Sequence, residues 1–478
     1  MSNFTNQSLD MGRRHVVVGD GITAAAFVEH CDLAAGDHLT VLGQNASQLG
    51  RGAAYAAQDP ADPWCYAYLL NSPADDIDPA FARWLERNWA GLRDTMRGRQ
   101  PDWLAAAQPL LDRGDTYGLN APRAFYGNFM QEQMASVFAA LRKRGVTITL
   151  HDAKAVSLSQ LATHMQLTTD SGDLLDADSI DIAPGGPATQ RFPGDDGPFS
   201  APTLFGQEAR IAEHIKAEAE IFCIGANATM LDVLRLCQSL IPDDDLNIVA
   251  CSPSGGLPPP LVPRLPRYLT KPALTGNHAT AQSFLDEVWT AMEKARAQGD
   301  EMREIRAGFR AYFIEHGLKY FVPNADEARL VPRTLRHWLR GGTRDTILDF
   351  HRLMKLGKCR TLGGGVVEIE HTDHGARVIT RDKAGNITAH DTGFVINCAG
   401  AGPGSAFDPL TTQLIADGAV KTCVVTGGLE VGARCMTGVP NVRHLSPATT
   451  VIGDEVMPMP LYDAHLLRTW AARAYQQP

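Results

Sequence analysis

The sequence predicts an α/β protein built on two Rossmann-like units. Three observations carry that prediction. A β-branched run at 15–18 passes at once into glycines, then an alanine-rich helical stretch, then a second apolar run at 39–42. The same strand–turn–helix–strand order returns at 221–251. Short strands and amphipathic helices fill the rest, with no internal repeat of short period. A β–turn–α–β unit of about 30 residues is the size of one nucleotide-binding half. At roughly 150 residues per domain, 478 residues make two or three domains.

Composition narrows the classes further. Apolar residues at 44% and charged residues at 21% are ordinary for globular chains and exclude wholesale disorder. A core of this size needs no disulfide or structural metal. Lys and Arg number 44 against 54 Asp and Glu, a net charge of −10, which argues against nucleic acid as a partner. No run approaches the roughly 18 apolar residues of a membrane span. The polar start, 1–11, lacks the apolar core of a secretion signal. Nine cysteines, an odd number with no C-x-x-C pair, predict reduced thiols in a cytoplasmic protein, packed as small hydrophobes.

The elements follow in order. Residues 1–13 read as a tail, 15–18 as a strand, 23–33 as a helix and 39–42 as a strand. Residues 57–120, rich in Asp, Pro and Trp, read as an insertion with one helical stretch at 79–92. An amphipathic helix spans 126–144 and closes with Lys143, Arg144 and Gly145, a C-terminal signature. Short strands follow at 146–150, 155–158, 165–168 and 180–183, where Pro184-Gly185-Gly186-Pro187 breaks the last. The second unit places strands at 221–224 and 247–251 around a helix at 229–240. Residues 252–263 are too rich in Gly and Pro for regular structure. Helices are predicted at 281–296, 303–316, 332–356 and 462–475, and strands at 366–370, 376–381 and 394–397.

The sharpest motif is Gly19-Asp20-Gly21-Ile22-Thr23-Ala24, a G-x-G-x-x-A between a strand and a helix. Gly19 permits the tight turn, Gly21 lets a pyrophosphate approach the backbone, and Ala24 allows close helix–strand packing. An acid that binds ribose hydroxyls normally ends the second strand. Here Gln44 stands there, with an amide able to hydrogen-bond a hydroxyl but no charge.

Three further motifs follow: Gly50-Arg51-Gly52-Ala53-Ala54-Tyr55, Leu69-Leu70-Asn71-Ser72-Pro73-Ala74 and Pro122-Arg123-Ala124-Phe125-Tyr126-Gly127. With the first turn, they resemble FAD/NAD(P)-binding proteins whose pattern is G-x-G-x-S/T-G, LGRGxAY, LLNxPA and R-x-x-YG in that order. Thr23 fits the Ser/Thr position, and Ala24 stands where that pattern has its last glycine. This family is similar to flavin N-hydroxylating and Baeyer–Villiger monooxygenases. The resemblance implies two dinucleotide-binding domains, the second inserted in the first: a FAD domain at 14–190 and 386–478, and an NAD(P)-binding-like domain with a helical insertion at 205–385. It puts Arg51, Gly52, Tyr55 and Arg123 beside FAD, where a guanidinium suits a diphosphate. It puts Leu70 and Asn71 at the flavin ring. It also matches Ile182 to Pro187 and Ile396 to Gly402 to the two chain crossings of two-dinucleotide flavoproteins, with Gly185 and Gly400 near the cofactor. Near the C-terminus, Asp454 and the Ser446-Pro447 turn are competing candidates for the last FAD contact.

The second turn departs from the pattern. Gly225-Ala226-Asn227-Ala228-Thr229 has Asn227 where the second glycine belongs. After the second strand, Ser252 is followed by Pro253 and Ser254, where the resemblance expects basic residues for a 2′-phosphate. Gly225, Asn227, Thr229 and Ser252 are therefore the candidates for NADPH or NADH.

No G-x-S-x-G, Walker A or H-E-x-x-H motif is present. His351, His371 and His374 form no recognisable metal set, and Met457-Pro458-Met459-Pro460 reads as a packing segment. The resemblance implies a FAD-dependent oxidoreductase: a single-component monooxygenase that takes electrons from NAD(P)H and oxygenates a small nucleophilic substrate with O₂. An oxidase or dehydrogenase without a nicotinamide site is one alternative. A non-catalytic flavin-binding accessory or sensor protein is the other. The sequence sets neither the substrate nor the oligomeric state.

Overall fold

The computed structural model describes residues 12–258, 272–300, 302–339, 341–402, 404–459, 461 and 463–476. The tail at 1–11, the 259–263 part of the Gly/Pro-rich stretch, Pro460 and Tyr462 lie outside the described residues.

Two five-stranded parallel sheets organise the chain. In the first, Arg14–Val18 lies between His38–Gly43 and Ser179–Ile182, with Thr147–Asp152 on one outer side and Val442–His444 on the other. Val16, Val17 and Val18 are all buried, as a strand covered on both faces requires. The helix Ile22–His30 follows at once, with Ala24, Ala25 and Ala26 almost wholly buried against its neighbours. It ends earlier than predicted, because Cys31 takes an extended conformation. The second sheet runs Cys359–Gly363, Ile248–Ser252, Ile221–Ile224, Phe394–Asn397 and Ser200–Ala201. Strand Phe394–Asn397 thus sits in the second sheet although it lies beyond residue 385.

Three smaller sheets fill the periphery. The antiparallel meander Gly365–His371, Ala376–Arg381 and Ile387–Thr392 shares a core with the second sheet through Phe222, Val249, Ile369 and Val378. A second meander comprises Ala155–Gln160, Met165–Thr169 and Leu174–Ala177. The mixed sheet Lys421–Thr422, Leu429–Val431, Thr449–Ile452 and Glu455–Val456 carries the helices of 281–339, whose Phe284, Phe309 and Phe321 share a core with Val451 and Val456.

Several elements differ from the sequence reading. The 57–120 segment holds helices Ala74–Ile77, Pro79–Met96 and Pro101–Leu111, not one stretch. Pro101 looks like a breaker, but it occupies the first turn, where its missing N–H costs nothing. The predicted helix at 332–356 is two, Val331–Leu339 and Arg344–Lys355, parted at Gly341-Gly342. Gly342 packs so tightly that a Cβ would lie 2.7 Å from Leu231 Cδ1. Strands Leu174–Ala177, Cys359–Gly363 and Ile387–Thr392 were not anticipated. Ile387–Thr392 is largely exposed and therefore carries no apolar alternation.

Candidate functional site

The site begins where strand Arg14–Val18 turns into helix Ile22–His30. Gly19 has φ +115°, and a Cβ there would lie 2.1 Å from the Ala183 carbonyl oxygen, so only glycine fits. Its N–H donates to the Leu42 carbonyl at 2.7 Å. Gly21 faces open space, the nearest atom to a Cβ being Gly52 Cα at 4.0 Å. The Asp20 carbonyl accepts from the N–H groups of Gly50 at 2.8 Å and Gly52 at 3.2 Å, which folds the 50–55 loop onto the turn. The helix has no side-chain cap and no acid in its first turn, so its first N–H groups have no side-chain acceptor among the described residues, as a helix start that receives an anion requires. Gln44 is exposed in the turn after strand His38–Gly43.

Arg51 is buried, only 8% exposed. Its Nη1 donates to the Tyr55 carbonyl at 3.2 Å and its Nη2 to Asn128 Oδ1 at 2.7 Å, while Nε has no partner among the described residues. Burial lowers its pKa, and no carboxylate among the described residues offsets its charge. The helix Arg123–Lys143 admits this guanidinium through Gly127, where a Cβ would lie 2.5 Å from Arg51 Nη1. Tyr55 meets Tyr126 edge-on at 4.9 Å. The Arg-Gly and Tyr-Gly motifs therefore interlock.

Arg123 turns the other way. Its Nε donates to the Leu69 carbonyl at 3.1 Å, and its Nη2 pairs with Asp232 at 2.9 Å on the helix Ala228–Gln238. Burial outweighs Arg123's attraction and pushes Asp232 up to about 6. The ion pair joins the two parallel-sheet units. Leu70 N–H donates to the Ala121 carbonyl at 2.8 Å. Asn71 Oδ1 accepts from Thr343 Oγ1 at 3.1 Å, and its carbonyl accepts from Asn120 Nδ2 at 3.1 Å. Asn71 Nδ2 has no partner among the described residues.

The first crossing sits at the same end of the first sheet. Ser446 Oγ donates to the Gly185 carbonyl at 2.8 Å, and Leu445 N–H donates to Ile182 at 2.9 Å. Gly185 has φ +89° with open space beside it. Ser446-Pro447 therefore adjoins the glycine crossing. Asp454 is instead largely exposed on the hairpin between Thr449–Ile452 and Glu455–Val456, paired with Lys319. The carboxylate is committed to a surface ion pair, and none of its contacts reaches the Gly19 turn.

The second turn repeats the first with one change. Gly225 has φ +107°, and a Cβ would lie 2.7 Å from the Cys398 carbonyl oxygen. Asn227 caps its own helix, accepting from Thr229 N–H at 3.2 Å and donating to the Ala399 carbonyl at 3.4 Å. Gly400 lies opposite, its Cβ position 4.0 Å from Asn227 Nδ2. Ser252 Oγ lies 3.3 Å from the Gly256 carbonyl.

A cavity of 460 Å³ opens between the 53–68 segment and residues 205–209, lined by Tyr55, Trp64, Tyr68, Arg123, Phe205 and Glu208 among others. Tyr68 is 5% exposed, and its hydroxyl has no partner among the described residues. Burial raises its pKa above the usual phenol range. The sequence reading missed Tyr68, Asn128, Asp232 and Thr343, because each reaches the site through tertiary packing and carries no motif.

Residues 16–187 match the family model described as FAD-NAD(P)-binding. The match takes in the Gly19 turn and the three motifs that follow it. Among curated proteins, none matches the chain. Solved structures do. The cadaverine monooxygenase of desferrioxamine biosynthesis from Erwinia amylovora aligns over 96% of this chain and 94% of its own, at 12% identity and TM-score 0.55. The lysine monooxygenase from Nocardia farcinica aligns over 97% and 99%, at 15% identity and TM-score 0.50. Thioredoxin reductase from T. acidophilum aligns over 97% of both chains, at 11% identity and TM-score 0.47. The first two likenesses show the fold, a mixed α/β architecture with two Rossmann-like parallel sheets. The residues present fit FAD on two counts: the open face of Gly21, and a buried guanidinium whose Nε has no partner and whose charge has no carboxylate among the described residues.

Proposed function

We propose that this protein is a FAD-dependent oxidoreductase that takes reducing equivalents from NAD(P)H and acts as a monooxygenase on a small nucleophilic substrate. The observation that carries the reading is Arg51, a buried cation without a carboxylate among the described residues, next to an uncapped helix N-terminus and the open face of Gly21. A buried charge is normally paired, and a diphosphate is the counter-ion this corner lacks. FAD bound there supplies the redox chemistry, both electron uptake and oxygen activation.

The chain's own groups bind, orient and exclude water. N–H groups at the start of helix Ile22–His30 would hold the diphosphate. Asn71, fixed through Oδ1 by Thr343, would offer Nδ2 as a donor to the flavin. Gly185, braced by Ser446, and Gly400 leave room where the two units meet. The FAD unit comprises 14–190 and the chain's end, and the second sheet forms the nicotinamide unit with Gly225 and Ser252. The lysine and cadaverine monooxygenases of the same fold support oxygenation of a small molecule.

A specific observation favours a second reading, an oxidase or dehydrogenase without a nicotinamide site. Asn227 spends its side chain capping the helix N-terminus that would receive the nicotinamide dinucleotide's phosphates. Rapid mixing of the FAD-loaded protein with NADH and NADPH, without oxygen, decides between them. The monooxygenase reading predicts bleaching of the flavin by at least one of the two, and oxygen uptake when air is admitted. A flavin that stays oxidised with both supports the second reading.

A further inference from the structure

The first dinucleotide turn has no acid at the end of its second strand, where one normally receives the ribose hydroxyls. Gln44 occupies that place and is exposed. An acid nevertheless reaches the same corner from inside the turn. Asp20, between Gly19 and Gly21, lays its side chain over the end of strand His38–Gly43. Its Oδ2 accepts from Asn45 N–H at 2.8 Å. A Cβ on Gly43 would lie 2.9 Å from Asp20 Cβ and 3.2 Å from Oδ2. Gly43 is thus a strand-end glycine that admits this carboxylate, the kind of close approach for which strands use glycine. Asp20 is half-buried, and Oδ1 has no hydrogen-bond partner among the described residues.

We propose that Asp20 takes over the role of the missing strand-end acid and accepts hydrogen bonds from the adenosine ribose hydroxyls of FAD. This rests on the FAD reading above and adds a residue to it. The arrangement is chemically complete. One oxygen is spent on Asn45 N–H, which fixes the rotamer, and the other keeps its lone pairs for hydroxyl donors. A carboxylate held this way recognises a diol more strongly than the Gln44 amide can, since hydrogen bonds to a charged acceptor are the stronger ones. Asp20 is a binding residue, without a step in the reaction.

The test is equilibrium binding, independent of turnover. Quenching of flavin fluorescence gives the affinity of the wild type, Asp20→Asn and Gln44→Ala for FAD and for an FAD analogue lacking the adenosine ribose hydroxyls. Asp20→Asn keeps a carbonyl oxygen for Asn45 N–H, so the turn retains its brace. The wild type and Gln44→Ala should prefer FAD roughly tenfold or more over the analogue. Asp20→Asn should lose most of that preference while binding the analogue as the wild type does. A wild type indifferent to the ribose hydroxyls overturns the assignment. So does a preference that survives Asp20→Asn, or one that disappears in Gln44→Ala. A wild type that binds neither ligand refutes the FAD reading itself, and the assignment with it.

Discussion

Gly127 shows how a motif glycine is read at the scale of one residue. A Cβ there would meet Arg51 Nη1 at 2.5 Å and the Tyr55 carbonyl oxygen at 2.6 Å. Gly127→Ala should therefore cost about 1–3 kcal/mol in denaturant unfolding and lower the flavin content of the purified protein. Unchanged values for both would separate Gly127 from the site. Arg51 makes a prediction of split sign. Arg51→Met removes two hydrogen bonds but also a buried, uncompensated cation, so the apo-protein's stability should move by less than about 1 kcal/mol. FAD affinity should fall at least tenfold. A purely structural arginine would give the opposite, with lost stability and unchanged binding. His444 supplies a pH dependence. It is fully buried, with Nε2 at 2.9 Å from Thr411 Oγ1 and Nδ1 unpartnered, and burial holds its pKa down to about 4. Below about pH 6.5 the unfolded chain protonates this group and the folded one does not. Stability is therefore lost as pH falls from there to about 4, by on the order of 3 kcal/mol. Unfolding at pH 7 and pH 4.5 should show a steeper acid loss in the wild type than in His444→Asn. Parallel losses would exclude this source.

At the scale of elements, periodicity located what was buried and failed on what was not. The strands 15–18, 39–42, 221–224 and 394–397 were legible because parallel strands covered on both faces are continuous apolar runs. Strand Ile387–Thr392 and helix Pro101–Leu111 were not. The first is exposed, and the second carries prolines at 101 and 109. The Gly19 and Gly225 turns were legible as glycine patterns. The use of Asn227 was not, because a cap is defined by the helix it starts. Asn227→Ala should lower stability by about 1 kcal/mol, and Asn227→Gly by a few tenths. If the second unit receives a nicotinamide dinucleotide, Asn227→Gly should also lower the KM for NAD(P)H, since it frees the N–H of Thr229. An unchanged KM in that variant speaks for the second reading.

Buried polar contacts join the two parallel-sheet units. Arg123 pairs with Asp232, and Thr343 holds Asn71. The order of the motifs announced a two-dinucleotide fold, but nothing in the sequence paired residue 123 with residue 232, since such contacts exist only once the units meet. Asp232→Ala should leave Arg123 buried and unpaired, at a cost of about 3–5 kcal/mol in unfolding free energy. A loss below 1 kcal/mol would mean that the pair does not fasten the units. The central claim is FAD at the Gly19–Gly21 turn, and titration of the purified apo-protein with FAD tests it most directly. The prediction is saturable uptake of one FAD per chain, with flavin absorption retained after gel filtration and lost in Arg51→Met. A protein that stays colourless at every FAD concentration, or that binds FAD equally well without Arg51, would contradict it.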